Sequence, residues 1–314
     1  MGKPSNGGWK ASLAGVLKTH NRVKQDGTVA SHATQDKRAD VLYAGFKELR
    51  EKGYKLDDVR SFRGKHMEVL AREWEAKGLS PSTIQNNISV FRTFAGWIGK
   101  EGMVEGAEKY VSPGAASRSS INREDKSWQA QGVDIRAKIT EVAGQDPRVG
   151  LQLAMQATFG LRAREAMQLR PHIAYKASED GKNGYLLVNV GTKGGRDRVV
   201  PVDTPEKRAL VELAKTFAAS KLASVSDPTK TLAQVKNHYY RVLRSCGITR
   251  AEGITGHGLR HGYANDRYRE ISGEASPVRG GHTQDREADK AARLEVAEEL
   301  GHSRESVTTH YLGR

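Results

Sequence analysis

The sequence predicts a mainly α-helical protein with a small β-sheet, divided into two domains. Three observations carry that prediction. Apolar residues recur at helical spacing through most of the chain, two short β-branched runs flank a glycine-rich turn near residue 193, and a Pro-Gly-Ser-rich stretch separates two helical blocks. At 314 residues there is length for two separate cores.

Taken in order, residues 1–30 are rich in Gly, Lys, Asn and Ser with only Leu13, Val16 and Leu17 as an apolar patch, and read as a basic flexible N-terminal arm. Residues 31–110 read as a helical domain. Val41, Leu42, Phe46 and Leu49 share one helix face, with Gly53 as the stop. Met67, Leu70 and Trp74 mark the next helix. Ser80-Pro81 supplies an N-cap and a first-turn proline for a helix carrying Ile84, Ile88, Phe91, Phe94 and Ile98. Residues 111–125, with Pro113-Gly114 and several serines, read as a linker, and 126–314 form the second domain. That domain opens with helical residues around 130–143 and a nearly all-apolar helix, Val149 to Phe159, predicted to be buried on most sides and closed by Gly160. Arg162 then stands at a helix junction. Tyr185–Val190 and Arg198–Val202 read as strands around Thr192-Lys193-Gly194-Gly195, which places Lys193 on a hairpin tip. Helices follow at about 205–220, 230–246 and 288–300, the last capped by Gly301, and Ser303 reads as the N-cap of a short final helix bearing Tyr311.

The charge balance points to a polyanionic partner. Lys plus Arg number 51 against 37 acids, a net +14, and residues 111–314 hold 21 of the arginines against 7 in residues 1–110. A guanidinium grips two phosphate oxygens with a planar fork, whereas lysine is a mobile point charge, so the arginine-rich part is the candidate for defined phosphate geometry. The single cysteine, Cys246, excludes an internal disulfide, fits a reducing compartment and falls at helical spacing with Tyr239 and Val242, which reads as core packing. No apolar run is long enough for a membrane span, and the N-terminus lacks the apolar stretch of a secretory signal.

Each candidate site residue has a bland explanation when taken alone. Arg162 after a glycine is ordinarily a solvated side chain, Lys193 a turn residue, a near-terminal tyrosine a packing residue, and Leu300-Gly301-His302 a tripeptide of chance. Jointly, Arg162 with Glu165 three on, Thr192-Lys193-Gly194, His257-Gly258-Leu259-Arg260-His261, Leu300-Gly301-His302 and Tyr311 nine positions later form an ordered constellation. It resembles the signature of the tyrosine recombinase (phage integrase) family over about residues 34–314. The resemblance implies a two-domain DNA clamp, with a helical core-binding (SAM-like) domain at 31–110 and a catalytic domain at 126–314. It implies Tyr311 as nucleophile, Arg162 and Arg260 on the scissile phosphate, Lys193 as the acid for the leaving 5′ oxygen, and His257 and His302 assisting proton transfer. Glu165 would brace the site, and His261 would pack within its helix.

The implied chemistry explains the residue types. A free phenol with pKa about 10 is roughly 0.1% ionised at neutral pH, so forming the phenolate costs about 4 kcal/mol that nearby cations must offset. Attack on a phosphodiester spreads charge over equatorial oxygens, which fixed guanidiniums stabilise without reorganising. A 3′-phosphotyrosine lets a second 5′ hydroxyl reseal the strand, so the resemblance implies neither metal nor cofactor. The partners it implies are double-stranded DNA and a tetramer on synapsed DNA, with accessory or directionality factors, no membrane, and a cytoplasmic location at a bacterial nucleoid.

Competing readings use the same residues. His257 and His261 stand i, i+4 as in helical zinc sites, but Gly258 occupies the position of a metalloprotease glutamate. A relaxase would need a His-hydrophobic-His triad that the sequence lacks. A catalytically silent DNA-binding relative, a type IB-like topoisomerase and a resolvase remain open. Two departures from the family pattern stand out. The segment between His261 and Leu300 is long, its insert at about 271–290 reading as a solvated loop, and the chain stops at Arg314 where many relatives continue into a helix that docks on a neighbour. The insert and the Thr309–Arg314 ending are most similar to integrases of bacterial mobile elements.

Overall fold

The computed structural model describes residues 8–24, 26–119, 121–179, 183–192, 195–282 and 284–314. These fall into two compact units that divide between Ser119 and Ser120.

The first unit is helical: α1 (Gly8–His20), α2 (His32–Glu51), α3 (Gly64–Ala76), α4 (Pro81–Trp97) and the single turn α5 (Pro113–Ala116). Local sequence sets the ends. Ser31 caps α2 by accepting from Thr34 N, and Ser80 caps α4 by accepting from Thr83 N, with Pro81 in the first turn. Gly53 takes φ +87° just past α2, a conformation that favours glycine. The α2, α3 and α4 faces meet in an aromatic core, with Phe46 and Phe94 rings 5.4 Å apart and Phe62 and Phe91 5.2 Å apart. Gly45 permits that approach, because a Cβ there would stand 2.5 Å from Phe91 Cζ.

Residues 1–7 of the expected flexible arm lie outside the described residues, and over the described rest of 1–30 the expectation requires correction. Residues 8–20 are helix α1, and its Leu13 and Val16 are buried in the same core as Phe46 and Phe62. Leu13, Val16 and Leu17 are spaced i, i+3 and i+4 and form one stripe, which Gly8 and Gly15 obscure by lowering the local helix propensity. Part of the expected linker is also integrated: Val111 is buried in the first unit and Gln85 Nε2 donates to Ala116 O.

The second unit runs α6 (Ile135–Gln145), α7 (Pro147–Phe159), α8 (Ala163–Gln168), α9 (Pro171–Ala174), β1 (Tyr175–Ala177), β2 (Gly184–Val188), β3 (Arg198–Val202), α10 (Pro205–Phe217), α11 (Leu232–Ser245), α12 (Gly256–Ser272), α13 (Arg286–Glu299) and α14 (Thr309–Leu312). The strands form an antiparallel sheet in sequence order, with Leu186 opposite Val200. Helix α7 is the central element, as its apolar composition predicts: Leu151, Met155 and Phe159 join the sheet-side core, and Val149 and Leu153 join a second core with Trp128 and Tyr239. Cys246 is buried at the end of α11. Trp128 Nε1 donates to Thr255 O at 2.7 Å and so pins the start of α12. Gly258 is pressed against this tryptophan, where a Cβ would stand 2.7 Å from Lys126 O, so its glycine is a packing requirement.

Two other expectations change. Ser303 does not cap a final helix; Arg304 precedes a 3-10 turn over Glu305–Thr308, which runs into the four-residue α14. The insert is not a plain solvated loop, since Ser276 is fully buried and Arg279 pairs with Asp125 and Asp266. The α1 assignment makes a measurable prediction: Leu13→Ala should cost the first unit about 2–5 kcal/mol, read as a lowered denaturation midpoint, whereas a loose arm would leave the midpoint unchanged.

Candidate active site

The site is assembled where α7, α12 and α13 end or begin. Helix α7 terminates at Gly160, whose φ of +59° turns the chain and whose carbonyl accepts from Arg260 Nη1; a Cβ at this position would stand 2.5 Å from Tyr263. Two residues on, Arg162 occupies the N-cap of α8, and Glu165 reaches back to Arg162 N at 2.6 Å. The same carboxylate accepts from Arg162 Nη1 at 2.7 Å and from Arg198 Nη1 and Nη2 at 2.8 and 2.7 Å, and it lies 4.0 Å from Arg260 Nη1. Glu165 is 0% exposed. Burial alone would raise its pKa, but the paired Arg198 fork, the charge of Arg260 and the Arg162 amide reverse that and hold it at about 2.

The Leu300-Gly301-His302 tripeptide has a structural reason. Leu300 O, at the C-terminal end of α13, accepts from Arg260 Nη2 and, at 3.4 Å, from Arg162 Nη2, so the negative end of one helix ties both arginines. Gly301 turns with φ +70° and passes Arg198 Cδ, which a Cβ would approach to 3.2 Å. His302 N then donates to Ala297 O at 2.8 Å.

Tyr311 closes the constellation. Arg260 Nε donates to its hydroxyl at 3.2 Å, with the guanidinium carbon 5.7 Å from the ring centroid. The His261, His257 and His302 rings lie 4.9, 6.0 and 6.0 Å from the tyrosine ring. These side chains line a cleft of about 730 Å³ with Arg162, Lys126, Arg196, Arg304 and His310. Beside it, the three guanidiniums of Arg162, Arg198 and Arg260 against the one carboxylate of Glu165 leave a net positive field.

That field and burial together keep the imidazoles neutral. Burial first, then neighbouring charges, pushes His261 down to about 3 and His302 to about 4, and desolvation between the cleft walls followed by the Arg260 and Arg162 charges pushes the exposed His257 the same way. Among the described residues, His261 Nδ1 and His302 Nε2 are buried without a hydrogen-bond partner. Burial also lowers the Arg260 guanidinium, to about 10, which leaves it protonated at neutral pH. The arrangement offers permanent cations to an oxyanion and neutral acceptors to a proton, beside a phenol.

Of the residues singled out by sequence, Arg162, Glu165, His257, Arg260, His261, His302 and Tyr311 converge here, while Lys193 lies outside the described residues. The His261 ring, expected to pack within its helix, also lies 4.9 Å from the Tyr311 ring. Sequence reasoning missed Arg198, Lys126, Arg196, Arg304 and His310. Only Arg198 carried a readable signal: it is in phase with Val200 and Val202 on the inward side of β3, and an arginine on a core face demands a buried anion.

Comparison with known proteins bears on the fold and the family. A family model described as Integrase matches residues 120–266, and one described as Phage integrase, N-terminal, matches residues 12–104. The first match stops short of His302 and Tyr311, which therefore stand on the geometry above. No curated protein gives a significant match. Among solved structures, a lambda integrase dimer bound to a COC′ core site superposes with a TM-score of 0.57 at 16% identity, covering 96% of this chain and 94% of that one. The Tn1549 transposon integrase in complex with transposon right end DNA gives 0.55 at 12%, covering 98% and 95%, and the XerH site-specific recombinase on its palindromic difH substrate gives 0.53 at 16%, covering 88% and 74%. At these identities the superpositions establish the fold, and the family models supply the lineage. The chain belongs to the tyrosine recombinase (phage integrase) family of site-specific DNA recombinases.

Proposed function

We propose that Tyr311 cuts and rejoins duplex DNA through a 3′-phosphotyrosine, in the integration or excision of a bacterial mobile element. The observation that carries the reading is the contact of the fully buried Arg260 with Tyr311 Oη, at the wall of a cationic cleft that Tyr311 and Arg162 line. Among the described residues Arg260 spends one N–H on each of Gly160 O, Leu300 O and Tyr311 Oη, so two of its five N–H groups are not engaged by them. Arg162, fixed by Glu165, offers a second fork.

In the reaction the tyrosine oxygen bonds to phosphorus and the bond to the 5′ oxygen breaks. The phenol proton passes to a neutral imidazole of the cleft, and Lys193 protonates the leaving 5′ oxygen, a role assigned by family resemblance. His257 and His302 position the phosphate and carry protons. Attack by a second 5′ hydroxyl then reverses the sequence and frees Tyr311, so the energy of the original bond is kept in the intermediate. Oxyanion stabilisation by preset cations is the largest contribution.

The first unit would serve as the core-binding domain and the second as the catalytic domain, a division supported by the phage integrase N-terminal match to residues 12–104. The lambda integrase is known as a tetramer bound to a Holliday junction, and the Tn1549 enzyme as a transposon integrase, which supports a tetrameric assembly and a mobile-element role here. No helix among the described residues is long and apolar enough to cross a membrane. Action at the bacterial nucleoid, with accessory or directionality factors, completes the proposal.

Incubated in EDTA with nicked duplexes bearing the flanks of its own gene, the protein should form a denaturant-stable DNA adduct that Tyr311→Phe abolishes; tight binding without an adduct would instead indicate a silent DNA-binding protein. Non-specific affinity should fall with a log-log salt slope near −5 for about six neutralised phosphates, and a flat dependence would contradict the DNA reading. Stability should also depend on pH. His261 and His302 have folded pKa values of about 3 and 4 against an ordinary 6.5, so the folded state binds fewer protons, and stability present above pH 6.5 is lost as pH falls towards 3. Glu165, at about 2 against 4.5, adds a further loss below pH 4.5. Thermal melts of wild type and a His261→Gln, His302→Gln double variant between pH 7 and 4 check this, with the variant expected to show the flatter profile.

A further inference from the structure

The catalytic tyrosine sits on a helix of four residues, α14, which is too short to hold itself in place. Its backbone is held from two sides by segments that the chemistry does not use. On one side Asn122 N donates to Thr309 O at 2.9 Å, and Asn122 Nδ2 to Tyr311 O at 3.4 Å. On the other side, Asn265 Nδ2 approaches Tyr311 O at 3.5 Å, and Ser276 Oγ, from the insert, donates to Asn265 Oδ1. Val278 of the insert packs directly under Gly313, where a Cβ would stand 2.8 Å from Val278 Cγ1 and 3.1 Å from Asn122 O. One side chain links the two supports. Arg279 Nε donates to Asp125 at 2.8 Å and Nη1 to Asp266, so a single guanidinium joins the segment after Asn122, helix α12 and the insert.

We propose that Arg279 is a positioning residue for the nucleophile: the insert, docked through it, cradles α14 from within the same chain and holds Tyr311 against Arg260 before DNA arrives. The insert thus performs a catalytic support task in a place where composition alone suggests a solvated loop. Asp125 and Asp266 are its fixed anchors, and Ser276 and Val278 are the points that touch the α14 support. The chemical consequence rests on the reading of Tyr311 as nucleophile; the structural consequence does not.

Amide hydrogen exchange tests the cradle without reference to activity. In Arg279→Ala, residues 305–314 should exchange roughly tenfold faster than in wild type while α7 keeps its protection. Unchanged exchange at 305–314, or an equal rise throughout the second unit, would overturn the proposal. Asp266→Asn, a change at a half-exposed side chain, should give a smaller rise at the same peptides and serves if the alanine variant does not fold. On nicked duplexes that wild type converts to adduct, Arg279→Ala should slow adduct formation roughly ten- to a hundredfold with duplex affinity preserved. Arg279→Lys should recover part of the rate, and resealing of a preformed adduct should slow less than its formation. Equal losses in binding and cleavage would mark a merely structural role. Failure of wild type itself to form an adduct would count against the functional reading, while the exchange measurement would still decide on the cradle.

Discussion

The geometry of the site depends on one fully buried carboxylate. Glu165 binds Arg162 and both terminal nitrogens of Arg198 and faces Arg260, and without it three guanidiniums would share a small volume with, among the described residues, the Gly160 and Leu300 carbonyls and the Tyr311 hydroxyl to receive them. Buried like charges are tolerated only where an opposite charge and complete hydrogen bonding compensate, and removing one partner of such a network typically costs about 3–5 kcal/mol. The compensation here is deliberately incomplete in sign: one negative charge stands among three positive ones. The protein alone therefore carries an electrostatic deficit in the cleft that a phosphodiester can fill. Because the arginines are already fixed, little reorganisation accompanies its arrival, which is the condition under which such groups stabilise a pentacoordinate transition state.

The tyrosine obeys the opposite logic. The arginines are locked by buried partners on helix ends, whereas Tyr311 rides on a single turn near the end of the chain and owes its position to tertiary contacts. In the proposed role of Tyr311 as nucleophile, which must attack, remain bonded through strand exchange and then depart, a support separate from the groups proposed to bind the phosphate is an advantage. The short α14, held by Asn122, Asn265 and the insert, provides that separation, while Arg260 is the one residue common to both systems through its contact with Tyr311 Oη.

Much of the fold and site was legible in the sequence, and the exceptions share a cause. Helix α7 announces itself by a nearly all-apolar run, α4 by Ser80-Pro81, and the site by the ordered spacing of Arg162, His257, Arg260, His302 and Tyr311. These signals are local or are fixed by a motif. Arg198 was missed because its meaning lies in a partner 33 residues away, although its inward phase on β3 recorded the need for one. Arg279 was missed because charge suggests solvent, and its partner Asp125 lies 154 residues away. Helix α1 was missed for a local reason, as two glycines diluted a correctly spaced stripe of Leu13, Val16 and Leu17. Long-range ion pairs have no periodicity, so a linear reading sees only their isolated halves.

The charge arrangement also suggests how proton acceptance is matched to substrate binding. The arginines cannot lose their protons at neutral pH, and their charges, acting with burial, keep the imidazoles of His257, His261 and His302 neutral in the free protein. A bound phosphodiester would place negative charge among these same arginines and cancel part of the field that disfavours imidazolium. The histidines would then become stronger bases only once substrate is present, at the step when the phenol proton needs an acceptor. Premature protonation of the cleft is thereby avoided. Fixed cations, conditional bases and a separately supported nucleophile thus follow from the same placement of Glu165 among its arginines.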